Sequence, residues 1–318
     1  MDTRPTPGDR GVAALSAHLA AGLVGHERLI ESLLVALLAD GHLLIEGAPG
    51  LAKTRAVKWL ADAVDGSFAR IQCTPDLMPS DVTGTPVYKP QDGAFEFVRG
   101  PVFNNLVLVD EINRAPPKVQ SALLEAMAEH QVTAGVETYR LPEPFLVVAT
   151  QNPIEHDGTF PLPEAQLDRF LLHTVLELPG IETERRILEL VEAETQAGVA
   201  PTLSLSLEAL NAARAKVRAI HLAPELRDYI VRLVMATREG PLSEDVEHAV
   251  SPRGTLAMAA AARARAFLHG RDYALPEDVV ELAGDALAHR MVLSWRAVAD
   301  GRKPRDVVRD ILTAVEPL

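Results

Sequence analysis

Residues Leu43 to Thr54 read LLIEGAPGLAKT: a short apolar run, a loop of small residues containing Gly47, Pro49 and Gly50, and a Lys-Thr pair. A loop that cradles phosphate needs small residues, so that backbone N–H groups turn inward, and a helix N-terminus whose partial positive charge faces the anion. The stretch supplies both, because HLLIEG before it reads as a buried strand and TRAVKWLADAV after it as a helix. It departs from the general G-x-x-x-x-G-K-[ST] pattern at Ala52, where that pattern has glycine. Alanine is tolerable there if the position enters the first helical turn at negative φ. On this reading Lys53 reaches the β and γ phosphates of a nucleotide and the Thr54 hydroxyl holds Mg²⁺. The plain alternative is a glycine-containing turn before an amphipathic helix.

Two further elements decide between these readings. NLVLVDE (105–111) is an apolar strand ending in Asp110 and Glu111. Carboxylates at the end of a buried strand are costly unless a cation or water meets them. One can support Mg²⁺ while its neighbour takes a proton from an attacking water; alone, the pair could equally be solvated acids capping a strand. FLVVATQN (145–152) is a second apolar strand with a polar end, and the Asn152 amide lies where it could orient that water, although an isolated Asn after a strand is usually a turn residue.

Working outward, FARIQCT (68–74) and FLLHTVLEL (170–178) add two more apolar runs without clean alternation, the pattern of strands covered on both faces. Helical patterns separate most of them, so the fold class is α/β with a mainly parallel sheet. Two segments interrupt the alternation. Residues 75–103 are rich in Pro and Gly and read as a long functional loop, and residues 130–141 read as two short strands around Ala134 and Gly135. From about Pro179 the patterns are all helical. The expected organisation is a flexible tail (1–10), a nucleotide-binding α/β core (11–178) and a small all-helical lid domain (179–318). VAALSAHLAAGLVG (12–25) faintly imitates a secretory signal but is interrupted by Ser16 and His18 and reads as a helix and a loop.

These elements, with PLPEAQLDRF (161–170) and SPRGTLAMA (251–259), resemble the AAA+ ATPases. EGAPGLAKT, TPDLMPSDVTG, FVRGPVF, VDEINRAPPKVQSALLEAM and ATQNPIEHDGTFPLPEAQLDRF more narrowly resemble the MoxR family of that superfamily, densely over residues 43–172 and more sparsely beyond. The resemblance implies ATP and Mg²⁺ as cofactors, bound by Gly47, Ala48, Pro49, Gly50, Leu51, Ala52, Lys53, Thr54 and Arg55, with Asp110 supporting the metal, Glu111 as general base and Asn152 as first sensor. It implies that Val24 and Gly25 line the adenine pocket, that Arg169 reaches a neighbouring subunit's γ-phosphate, and that Arg253 is the second sensor; Arg114 is a weaker interface candidate. It further implies a homo-oligomer, commonly a hexameric ring, acting in a chaperone-like way on a protein client with a von Willebrand factor A domain partner. Ala-Lys-Thr is also how MoxR-like loops are usually written.

Composition narrows the alternatives. A formal net charge of −13, from 31 basic and 44 acidic residues, weighs against general attraction to nucleic acid or anionic membranes. A nucleic-acid motor or loader and a chelatase-type motor subunit remain alternatives. One cysteine, Cys73, excludes an internal disulfide and fits a cytoplasmic protein, read here as a small buried hydrophobe. The ten histidines are scattered without ligand spacing. Phe95, Phe97 and Phe103 either face a partner or pack the base of the 75–103 segment.

Overall fold

The computed structural model describes residues 7–91, 93–134, 137–153, 158–197 and 203–317. Helices α1 (Pro7–Gly22) and α2 (Glu27–Leu38) precede β1 (Leu43–Gly47), which leads through residues 48–52 into α3 (Lys53–Asp62). A two-residue strand, β2 (Val64–Asp65), and β3 (Phe68–Gln72) follow. The 75–103 segment carries a short helix, α4 (Pro79–Thr83), and an antiparallel hairpin, β4 (Gly84–Lys89) with β5 (Ala94–Arg99). Next come β6 (Leu106–Asp110), α5 (Pro117–Glu129), a second hairpin of β7 (Gln131–Ala134) and β8 (Glu137–Arg140), then β9 (Leu146–Gln151), α6 (Glu164–Leu167) and β10 (Leu172–Leu176).

Five strands form the central sheet in the order β10-β1-β9-β6-β3, and every neighbouring pair is parallel. Successive residues of a strand point to opposite faces, and here each face is covered. Leu43, Ile45, Leu106, Leu108, Leu146 and Val148 join a core with α1, α2 and α3, whereas Leu44, Val107, Val109, Val147 and Ala149 join another with α5, Phe145 and Phe170. That double burial is why the strands read as continuous apolar runs.

After β10 come α7 (Ile181–Ala197), β11 (Leu205–Ser206), α8 (Leu207–Ala219), α9 (Pro224–Met235), β12 (Val246–His248), α10 (Pro252–Leu268), α11 (Pro276–Leu287), β13 (Val292–Leu293), α12 (Trp295–Ala299) and α13 (Pro304–Ala314). Three expectations need correction. Residues 7–10 belong to α1 rather than to a tail, because Asp9 pairs with Lys216 at 2.6 Å and Gly8 abuts Ala209 of α8; residues 1–6 lie outside the described residues. The region after Pro179 is mostly but not wholly helical: β11 pairs in parallel with β2, and β12 pairs antiparallel with β13, pieces too short to produce a period-two pattern. Nor do these helices form a core of their own. Leu210, Ala213, Ile230, Met258, Ala261 and Val279 lie in the same apolar cluster as Leu15, Leu33 and Ile45.

The 75–103 segment is thus built rather than irregular. Its hairpin residues are exposed on both faces, so no buried stripe marked them as strands. Phe97 stacks on Tyr139 of the second hairpin at 4.3 Å between ring centroids and meets Phe103 edge-on at 5.8 Å, so these rings pack together. Phe95 is 72% exposed and touches Tyr88. Gly135, at the expected centre of the second hairpin, lies outside the described residues.

Candidate functional site

The connection from β1 must turn a strand into a helix within five residues. It takes the left-handed conformation twice, at Gly50 (φ +86°) and at Ala52 (φ +52°, ψ +18°). The negative φ expected at Ala52 is therefore wrong: the residue is the N-cap of α3, outside its first turn, and the left-handed step aims the helix N-terminus back toward the loop. Space around Gly50 is open, since an added Cβ would meet nothing within 4 Å. Its conformation, rather than crowding, is what favours glycine.

Lys53 closes the loop on itself. Its Nζ donates to the carbonyl of Gly47 and, at 3.3 Å, to that of Gln151 at the end of β9. Burial lowers the Lys53 pKa, opposed by the charges of Asp110, Glu111 and Glu46. Parallel pairing of β6 beside β9 and β3 brings the remaining groups together. The Thr54 hydroxyl lies 3.3 and 3.4 Å from the two oxygens of Asp110, which is buried. Thr150, also buried, donates to Asp110 Oδ1 at 3.2 Å while its Oγ1 accepts the Glu111 N–H at 3.0 Å. Glu111 sits in the left-handed region at φ +56°, and its carboxylate accepts from Gln72 at 3.1 Å and Arg114 at 3.2 Å. Arg70 Nε donates to Asp110 Oδ2 at 2.7 Å, and its Nη2 to Gln72 Oε1 at 3.2 Å.

A cavity of about 340 Å³ separates residues 49–55 from Arg70, Gln72, Asp110, Glu111, Thr150 and Asn152. The loop, the paired carboxylates and Asn152 are therefore one site. Arg70, Gln72 and Thr150 escaped the reading of the sequence. The available signals were polar residues at alternate positions of the otherwise apolar FARIQ strand, and a hydroxyl two places before Asn152.

Arg169, Arg253, Val24 and Gly25 stand apart from this cavity. Arg169 donates through Nη1 to the Leu124 carbonyl, and its Nε is buried without a hydrogen-bond partner among the described residues. Arg253 is exposed in the first turn of α10 and lines neither this cavity nor the larger cleft along β10. It lies near Arg290, whose pKa burial lowers to about 10, with Asp168 opposing and Arg253 adding to the fall. Asp168, next to Arg169, accepts from Arg290 Nε at 2.9 Å and from Ser251 at 3.0 Å, tying that segment to α10 and to the turn after α11. A cleft of about 1240 Å³ runs along β10 between α2, α11 and α13, with Gly25 on its wall. Gly25 has φ +79°, and a Cβ there would lie 2.1 Å from Thr183 at the start of α7; Val24 lines neither cavity. Arg55, on the phosphate-loop cavity, donates to the Gly22 carbonyl at 3.3 Å and lies over Trp59.

The donor set fits a magnesium nucleotide. Thr54 and Asp110 offer hard oxygens side by side, as Mg²⁺ requires, while the α3 N-terminus and Lys53 offer positive charge to phosphate. Among the described residues no group of three or more His, Cys, Asp or Glu could hold another metal. No described helix is long and apolar enough to cross a membrane.

Comparison with known proteins agrees with this geometry. The model of the ATPase family associated with various cellular activities (AAA) matches residues 42–172, and an AAA lid domain model matches residues 241–311. The chain is 45% identical over 304 residues to Chaperone MoxR1 of Mycobacterium tuberculosis, spanning 92% of this chain and 78% of that protein. It is 33% identical over 328 residues to Protein MoxR of Methylorubrum extorquens, spanning 95% and 93%. A crystal structure of a Cytophaga hutchinsonii protein classed as an ATPase superposes with a TM-score of 0.88 at 40% identity, covering 98% of this chain and 96% of that one.

Proposed function

Because the chain belongs to the MoxR family of AAA+ ATPases, we propose that it binds ATP with Mg²⁺, hydrolyses it to ADP and phosphate, and uses the cycle to remodel a protein complex. The observation that carries the chemistry is the single cavity shared by the α3 N-terminus, Lys53, Thr54, Asp110, Glu111 and Asn152. Lys53 leaves the Gly47 carbonyl to meet the β and γ phosphates, and Thr54 with Asp110 holds Mg²⁺. Bound there, the metal neutralises charge on the phosphates. Glu111 accepts the proton of the attacking water after Gln72 and Arg114 release it, and Asn152 orients that water.

Residues 11–178 act in this reading as the nucleotide-binding part and 179–318 as the lid. Arg253 senses nucleotide from the lid, and Val24 and Gly25 border adenine. Arg169 completes a neighbour's site in a ring of six; its absence from the lining of its own chain's phosphate cavity supports a role in trans. The relative named a chaperone supports action on a protein client, and a von Willebrand factor A domain protein is the proposed partner, in the cytoplasm.

Purified protein should hydrolyse ATP only with Mg²⁺. Lys53→Ala should lose nucleotide binding, and Glu111→Gln should bind ATP without turnover and retain the partner. Unchanged hydrolysis in both variants would remove this site from the reaction, and stimulation by DNA with steep salt dependence would favour a nucleic-acid motor.

A further inference from the structure

We propose that Arg70 is a tethered cation that holds Asp110 when no metal is bound and must yield it before Mg²⁺ can enter, so that Arg70 sets the metal requirement of the site. This rests on the reading of the phosphate loop as a magnesium-nucleotide site. Strand β3 pairs with β6 so that Gln72 lies opposite Asp110, and Arg70 starts two residues earlier, opposite Leu108. Its side chain runs along the strand to place Nε 2.7 Å from Oδ2, closer than either hydroxyl that Asp110 accepts from, Thr150 at 3.2 Å or Thr54 at 3.3 Å. Thr54 gives its one hydroxyl proton to the same carboxylate. The two groups suited to ligating a divalent cation are thus satisfied by each other and by a guanidinium.

The charges argue for exchange rather than coexistence. Without metal, Asp110 and Glu111 share the cavity with Lys53, Arg55 and Arg70, three cations against two carboxylates, so a further cation enters only if one of them withdraws. Mg²⁺ demands near-octahedral oxygen ligands at about 2.0–2.1 Å and repels a guanidinium on the same carboxylate. Arg70 has somewhere to go, because its side chain is 52% exposed while that of Asp110 is 6% exposed. Its Nη2 also holds the Gln72 amide oxygen, and the Gln72 amide nitrogen holds Glu111. Release of Asp110 by Arg70 therefore disturbs the contact that restrains the proposed base.

The test is a Mn²⁺ titration of the ADP-bound full chain, with free Mn²⁺ read by electron paramagnetic resonance. Arg70→Met, which keeps length and loses charge, should lower the half-saturating Mn²⁺ concentration about tenfold. In an Asp110→Asn background the same substitution should change it less than twofold. Arg70→Lys should fall between wild type and Arg70→Met, and it carries the comparison if circular dichroism shows Arg70→Met unfolded. A half-saturation within twofold of wild type, or raised, overturns the role of Arg70. If the wild type with ADP binds no Mn²⁺, the nucleotide reading itself fails and this inference falls with it.

Discussion

Replacing Ala52 by glycine should stabilise the protein and leave hydrolysis within about twofold of wild type. The magnitude follows from the backbone. At φ +52° the alanine Cβ crowds the following carbonyl, a clash worth about 1–2 kcal/mol that glycine avoids. Glycine returns about 0.4–1 kcal/mol of that through the greater freedom of its unfolded chain. Ala52 is also the N-cap of α3, a position where glycine is much preferred to alanine. The net expectation is a gain of about 1 kcal/mol, which for a chain of this size raises the thermal midpoint by only about 1–2 °C. Urea unfolding followed by circular dichroism, with steady-state ATPase rates beside it, resolves the change better. Ala52→Val is the opposing control, because a β-branched residue suits the left-handed region worst, and it should lose about 1–2 kcal/mol. A destabilised glycine variant together with a neutral valine variant would show that residue 52 has negative φ and that the loop is wound differently.

Thr150→Val removes the hydroxyl shared by Asp110 and the Glu111 N–H; turnover should fall about tenfold or more with a stability cost of about 1–3 kcal/mol, and Thr150→Ser should restore most of both in paired kinetic and unfolding measurements. Arg290→Met leaves Asp168 without its guanidinium and removes the hydrogen bonds from Arg290 to the carbonyls of Phe170 and Leu171, so chemical denaturation should register a loss of about 3–5 kcal/mol. His42 accepts the Val147 N–H at 3.1 Å and lies 3.2 Å from the Met127 carbonyl, and burial lowers its pKa to about 4. The unfolded chain takes up that proton near pH 6.5 and the native one only near 4. Stability should therefore fall as pH drops through this window, by up to about 1.4 kcal/mol per pH unit, and His42→Gln should flatten the slope by up to one proton in urea titrations at stepped pH.

The strand-loop-helix around Lys53 was legible because its features are local. A doubly buried strand, small loop residues and a helix N-terminus are each written in consecutive residues. The five central strands were legible for the same reason, their apolar runs recording coverage on both faces. The sign of φ at Ala52 was not, because alanine carries no mark of the left-handed region as glycine does. Arg70 and Gln72 were hidden because their roles depend on which strand lies beside β6, a property of sheet order rather than of either strand. The hairpin of β4 and β5 is wet on both faces and so left no pattern to read. The seal between α1 and α8 joins Asp9 to Lys216, a separation that no local periodicity spans.

That seal limits where the chain can be cut. A fragment ending at residue 178 would keep every group of the phosphate cavity yet leave Leu15, Leu19, Leu33 and Leu37 without the part of their cluster contributed by α8 and α10. It should collect in inclusion bodies rather than report on nucleotide, and the full chain should melt in one calorimetric peak. Two parts divided by their chemistry would then be, to a protease or a calorimeter, a single object.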